Sequence, residues 1–188
     1  MDLPWGDEKT IQFITNVGLI TSRGAFGDDV MSSEWTHHVS YSPGLIAVCL
    51  GKDRTTLANI RESKEFGINI CATDQNVIAS VAGGSHGKDF DKVAALKELG
   101  FKFHNAKKIK TLMVEGSVMN IECKLLREIE LGDHVMMVGE AVDISLNNGK
   151  EPLAYHKLKY FKMTETIAKP QGEELERIKS VVEKNKKG

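Results

Sequence analysis

The sequence predicts a mainly β fold with peripheral helices, an antiparallel barrel or sheet carrying inserts. Three observations carry that expectation. Met119, Ile121, Cys123 and Leu125 alternate with Asn120, Glu122 and Lys124, and Val142, Ile144 and Leu146 alternate with Asp143 and Ser145. This is the period-2 signature of half-buried strands. The apolar run Leu45–Leu50 lies between Pro43-Gly44 and Gly51, too short for a helix and bounded like a buried strand. Turn signals at Gly132-Asp133 and Asn147-Asn148-Gly149-Lys150 separate strand-like stretches, the second reading as a hairpin.

In chain order, Val17–Ser22 reads as a strand, with turns expected at Arg23-Gly24 and at Gly27-Asp28-Asp29. After the Leu45–Leu50 strand, Thr55–Glu65 has helical spacing through Leu57, Ile60 and Lys64, with a threonine or Asp53 able to cap its start. Phe66, Ile68 and Ile70 then alternate along a strand. Helices are expected near 75–82 and 89–99, the second closed by Gly100 as a left-handed cap. His134–Leu146 reads as a long strand and Tyr160–Met163 as a short last one. From about 172, EELERIKSVVEK is an amphipathic helix with Leu175, Ile178 and Val182 on one stripe. That stripe calls for a partner surface, either a dimer mate or the chain's own barrel.

The chain has 188 residues, 41% of them hydrophobic and 27% charged, which one domain with a real core accommodates. The reading places one domain over 1–165 and treats 166–188 as its tail. Lys+Arg 25 against Asp+Glu 26 argues against a globally basic nucleic-acid binder. The acidic start lacks the apolar run of a signal peptide, and no stretch reaches membrane-spanning length. A cytoplasmic protein with neither nucleic-acid nor membrane partner is therefore expected. Three scattered cysteines without CxxC suit a reducing compartment and give no zinc site. The six histidines show no ligand spacing.

Catalytic motifs are sparse. Ala82–Asp89 resembles a P-loop but lacks the first glycine and the hydroxyl after Lys88. No GxGxxG or GxSxG occurs, and Cys49, Cys71 and Cys123 fall inside strands as inert thiols. The Gly83–Lys88 loop can present backbone N–H groups, a hydroxyl and a cation to an anion, or be a plain surface turn. Lys52-Asp53-Arg54-Thr55-Thr56 joins a strand to a helix. It offers a guanidinium fork, two hydroxyls and free helical N–H groups, which suits a phosphate or simple helix capping. Met31–Pro43 adds hydroxyls around Trp35.

The order of these pieces resembles the flavin reductase-like family, which includes flavoredoxin and archaeal ferric reductases. The resemblance rests on Val17-Gly-Leu-Ile-Thr-Ser22, Met31–Thr36, Val39–Gly44, Asp53–Thr56, Glu65–Asn69, Ser85, Asp91-Lys92, Leu131–His134, Val138-Gly-Glu140 and Tyr160. It spans about residues 11–163. It implies a six-stranded Greek-key split β-barrel that binds FMN, works as a homodimer and uses NADH or NADPH as reductant. The electrons would pass to flavin, ferric complexes or a protein acceptor. The alternative is a flavoredoxin-like carrier without NAD(P)H turnover; a split barrel holding haem or nucleotide ranks below both. Carried over by residue, Ser33, Glu34, Trp35 and Thr36 match the loop lining the isoalloxazine and ribityl chain. Cys49 and Leu50 match the strand under the ring. Arg54, Thr55 and Thr56 match the phosphate turn. Ser85 and Lys92 match a second loop near the phosphate, and His134 a position that approaches the nicotinamide. For Trp35, ordinary packing remains open, and for His134 a structural role in the turn. A flavin would carry the redox chemistry itself, which explains a chain with few catalytic side chains.

Overall fold

The computed structural model describes residues 1–186. After a short 3-10 turn at Thr10–Gln12, the strands in order are β1 (Thr15–Asn16), β2 (Gly18–Gly24), β3 (Gly27–Ser33), β4 (Thr36–Ser40) and β5 (Leu45–Gly51). Helix α1 (Thr55–Ser63) leads to β6 (Glu65–Ile70), then α2 (Asn76–Gly84) and α3 (Lys92–Glu98). The second half holds β7 (Phe103–Asn105), β8 (Leu112–Val114), β9 (Met119–Leu131), β10 (His134–Leu146), β11 (Ala154–His156), β12 (Lys159–Phe161) and α4 (Gly172–Lys184).

The main sheet is antiparallel throughout, in the order β3-β2-β6-β9-β10-β5-β4. Its order shuffles early and late strands, as a Greek key does. It curls until its two ends meet: Asn16 Nδ2 donates to the Thr36 carbonyl at 2.7 Å, and Ser33 Oγ to the Cys49 carbonyl at 3.4 Å. Two register shifts bend the β9–β10 hairpin, between Val138 and Gly139 and between Ala141 and Asp143. At the first, a side chain on Gly139 would stand 2.6 Å from Phe66 Cζ, so the bend brings β10 backbone onto the core. Thr36–Ser40 adds a short edge strand to the six of the barrel. Turn Gly132-Asp133 closes the hairpin with Gly132 at φ +57°.

The barrel core packs Ile20, Val48, Leu50, Phe66, Ile68, Ile121, Val135 and Met137. A second core lies outside the barrel, where Leu19 and Val30 meet Ile78, Ala82, Val93 and Leu96 of α2 and α3. Strand β2 therefore buries both faces, Ile20 inward and Leu19 under the helices, and reads as a continuous apolar run for that reason.

Three local expectations change. Neither Arg23-Gly24 nor Gly27-Asp28-Asp29 is a turn: the hairpin turns at Ala25-Phe26, the first pair ends β2 and the second group opens β3. Asn147–Lys150 does turn, but makes no hairpin. The chain leaves the barrel there and β11 pairs with β1 and β12. Helix α1 starts at Arg54 with no side-chain cap, from Asp53 or from either threonine. Helix α4 buries no residue, and Ile178, Val181 and Val182 are exposed along its stripe. Among the described residues no helix is long and apolar enough to cross a membrane.

Candidate functional site

The C-terminal end of β5 organises the site. Cys49 N donates to the Trp35 carbonyl at 3.0 Å, and Gly51 pairs with His134 on β10. Gly51 O then accepts from Arg54 N at 3.1 Å, turning the chain into α1. Cys49 and Arg54 are five residues apart, at most about 17 Å along an extended chain. Along that strip stand an aromatic pair at one end and a cation with a helix N-terminus at the other.

The aromatic pair is Trp35 and His134, ring centroids 4.7 Å apart and tilted 52°. Trp35 is about half exposed. His134 Nδ1 meets Asp133 Oδ1 at 2.8 Å. That hydrogen bond is the main reason the Asp133 carboxyl lies below its ordinary range, with the His134 charge adding to it. Between them Cys49 is half-buried, and burial pushes its thiol up, away from thiolate character at neutral pH.

At the other end, Arg54 Nη1 lies 2.9 Å from His86 Nε2, joining the α1 start to the loop after α2. Ser85 is the first residue beyond α2 and is half-buried. Thr56 Oγ1 donates to Asp29 Oδ2 at 2.5 Å. Thr55 is 3% exposed and its hydroxyl has no hydrogen-bond partner. A buried hydroxyl left without a partner costs about 1–3 kcal/mol. An uncapped helix start, a guanidinium and an unused buried hydroxyl make a donor set that fits a phosphate group.

The residues singled out in the sequence do not all reach this strip. Ser33 and Trp35 lean on Cys49. Glu34 instead meets the Trp5 indole; burial pushes its carboxyl up, and that hydrogen bond partly offsets it. Glu34 also lies close enough to Tyr155 to help raise the phenol, after burial itself. Thr36 is buried, donates to the Ser33 carbonyl at 3.2 Å, and stabilises the loop from within. The Leu50 side chain belongs to the barrel core, because alternation along β5 turns it inward where Cys49 points out. It can meet a ligand only through its backbone. Lys92 is not free to hold a phosphate: its ammonium is buried on Asp29. His86 and Gly87 join the site from the Gly83–Lys88 loop, and Asp29 joins it although the sequence reading assigned it no role there.

Two clefts of about 260 and 280 Å³ lie elsewhere. One opens at the barrel mouth among Asn16, Thr36, His38, Ile46 and Met119, the other beside Gln75, Phe101 and Lys150. No group of three or more metal-ligating side chains occurs among the described residues.

A curled antiparallel barrel, with an uncapped helix start beside an aromatic strip, defines the class as split-barrel proteins. The family model described as flavin reductase like domain matches residues 11–164, and the chain belongs to that family. It is similar to a ferric-chelate reductase (NAD(P)H) of Archaeoglobus fulgidus, with 30% identity over 114 residues, 60% of this chain and 64% of that one. It is also similar to an NADH-dependent flavin reductase of Rhodococcus sp, with 24% identity over 149 residues and 77% of each chain covered. Among solved structures, the flavoredoxin of Desulfovibrio vulgaris (Miyazaki F) superposes with a TM-score of 0.74, covering 90% of this chain and 97% of that one at 24% identity. That likeness establishes the split-barrel fold.

Proposed function

We propose that the chain is an FMN-binding oxidoreductase that accepts hydride from NADH or NADPH and passes electrons to flavin, ferric complexes or a protein acceptor. The observation that carries this reading is the uncapped start of α1, where the buried Thr55 hydroxyl lacks a partner and Arg54 stands beside it. Relatives described as ferric-chelate and NADH-dependent flavin reductases support it.

When bound, FMN supplies the hydride-accepting and electron-transferring chemistry. The chain's own residues bind and orient. Arg54, Thr55 and the first N–H groups of α1 hold the phosphate, with Ser85 on the facing loop. Cys49 and the β5 backbone wall one ring face, with Ser33 and Trp35 beside them. Asp133 fixes the His134 ring through Nδ1, so that its second nitrogen can orient the nicotinamide. In this reading the chain works as a homodimer. Support comes from the exposed apolar residues Leu126, Ile129 and Leu131 of β9 and Val142, Ile144 and Leu146 of β10, together with the α4 stripe.

A second reading, an FMN electron carrier without NAD(P)H turnover, draws on the same ring pair. His134 is engaged by Asp133 on one side and Trp35 on the other, which suits a structural histidine. Purified protein should show a flavin spectrum, or acquire one with added FMN; no binding refutes both readings. Anaerobic mixing with NADH and with NADPH separates them: rapid bleaching supports the reductase, and an oxidised spectrum with both nucleotides supports the carrier.

A further inference from the structure

Below the Arg54–His86 contact lies a buried ion pair that the flavin reading does not use. Lys92 Nζ stands 2.8 Å from Asp29 Oδ1, and both side chains are 3% exposed. The other oxygen of Asp29 accepts the Thr56 hydroxyl. One carboxylate thus ties three elements together: β3, which carries it, α1 through Thr56, and α3 through Lys92.

A fourth segment closes on the same group. A side chain on Gly87 would stand 2.6 Å from Asp29 Oδ1 and 3.1 Å from Thr55 Oγ1. The 85–88 loop therefore runs directly onto the carboxylate, and the buried, unpartnered Thr55 hydroxyl faces the same loop at Gly87. Desolvating two charges is expensive, and a well-packed apolar pair is often as stable or more so. An Asp29 carboxylate without its lysine would also repel an arriving phosphate.

Resting on the FMN reading, we propose that Asp29 and Lys92 are positioning residues. They hold the α1 start and the 85–88 loop at the spacing that takes a phosphate monoester, and so make the chain select FMN over its dephosphorylated form, riboflavin. Lys92 acts through Asp29 and does not touch the flavin. Its ammonium neutralises the carboxylate, and Thr56 and Gly87 pass the fixed position on to Thr55 and Arg54.

The test is a fluorescence titration of the full chain with FMN and with riboflavin, for wild type, Asp29→Asn, Lys92→Met and the double variant, with thermal melts alongside. FMN affinity should fall about tenfold or more in each variant, the scale of one lost charge-assisted contact. Riboflavin affinity should change by less than about twofold, within the scatter of uncoupled sites. Where a single variant fails to fold, the double variant leaves no lone buried charge and carries the same expectation. Thr56→Val, which removes one tether and no charge, should lower the FMN-to-riboflavin preference in the same direction. Folded variants that keep the wild-type preference overturn the inference. So does tighter FMN binding by Asp29→Asn, which would make Lys92 a direct phosphate ligand. A wild-type chain that binds neither flavin overturns the FMN reading and this inference with it; a wild type that prefers FMN alongside variants that keep that preference overturns this inference alone.

Discussion

Thr55→Val should make the flavin-free chain more stable and the flavin complex weaker. In the free chain Thr55 is 3% exposed and its hydroxyl has no hydrogen-bond partner. Valine has nearly the same shape and the same β-branching, so α1 keeps its packing and its first turn. What disappears is an unpaired buried hydroxyl, worth about 1–3 kcal/mol. Taking about 1 kcal/mol, at the low end, the melting temperature rises by about 2–4 °C for a chain of this size. In the complex the same hydroxyl gives a hydrogen bond to a charged phosphate, worth about 1.5–3 kcal/mol, so Kd for FMN rises about 10- to 150-fold. Riboflavin binding, which lacks the phosphate, stays unchanged. Differential scanning calorimetry of the apoprotein and fluorescence titration with both flavins read the two effects separately. A valine variant that is less stable and binds FMN as tightly as before would falsify the reasoning, because the hydroxyl would then have a structural partner and no ligand.

His134→Asn should slow anaerobic reduction of bound FMN by NADH or NADPH by about tenfold or more, the scale of a lost orienting or proton-holding group, and leave FMN affinity within about twofold; unchanged reduction assigns His134 to the turn alone. Burial pushes the Cys71 and Cys123 thiols up to about 12 from 9.0, with smaller contributions from Asp74 and Glu122. A raised folded value means their contribution to stability is complete below pH 9 and is lost as pH climbs toward the folded value. Melting temperature should therefore fall from about pH 9 upward, and Cys71→Ala/Cys123→Ala should flatten that fall; a slope unchanged in the double variant contradicts it. If the chain is the homodimer proposed above, truncation after Pro170 should shift it toward monomer in light scattering, because it removes the exposed stripe of Ile178, Val181 and Val182. An oligomeric state unchanged by the truncation would place α4 outside any interface.

The strands were legible because they obey simple rules, whereas their closure into a split barrel was implied by the family resemblance alone. Leu45–Leu50 announces itself by an apolar run between breakers, Phe66–Ile70 by alternation, and β9 and β10 by alternation around Gly132-Asp133. Glu122 shows where alternation misleads. It sits on the polar side of the β9 pattern yet is buried, because its carboxylate accepts the backbone N–H groups of Lys107, Lys108 and Ile109 at 2.8, 2.6 and 3.2 Å. Sequence periodicity reports the average face of a strand and says nothing of a loop that folds over it. The Asn147–Lys150 turn misled for a related reason: turn chemistry fixes a local bend, whereas the partner strand is a tertiary choice.

The same distinction explains what was legible at the candidate site. The proposed anion donors, Arg54, Thr55 and the start of α1, lie in one contiguous stretch after a strand, where local reading looks for them; Thr56, expected beside them, instead gives its hydroxyl to Asp29. The group that holds them is assembled from residues 29, 56, 87 and 92, and no local pattern joins these. One signal was present. Lys92, Val93 and Leu96 share a face of α3, and the two apolar members are buried. A lysine on the buried face of a short helix must find a carboxylate, because an unpaired ammonium there is too costly to desolvate. Sequence position alone thus makes Lys92 half of an ion pair rather than a phosphate ligand, and leaves only the identity of its partner to the fold. Asp29 gives no such signal, because its neighbours Gly27 and Asp28 favour a turn. Position on a strand beside Val30 made it a buried acid instead. The energetic consequence is specific. The ligand-binding side chains can each be removed with the loss of one contact, whereas removing Asp29 loosens three elements and a loop at once. On the proposed reading, the site's affinity for a phosphate would be set as much by a pair that never touches it as by the donors that do.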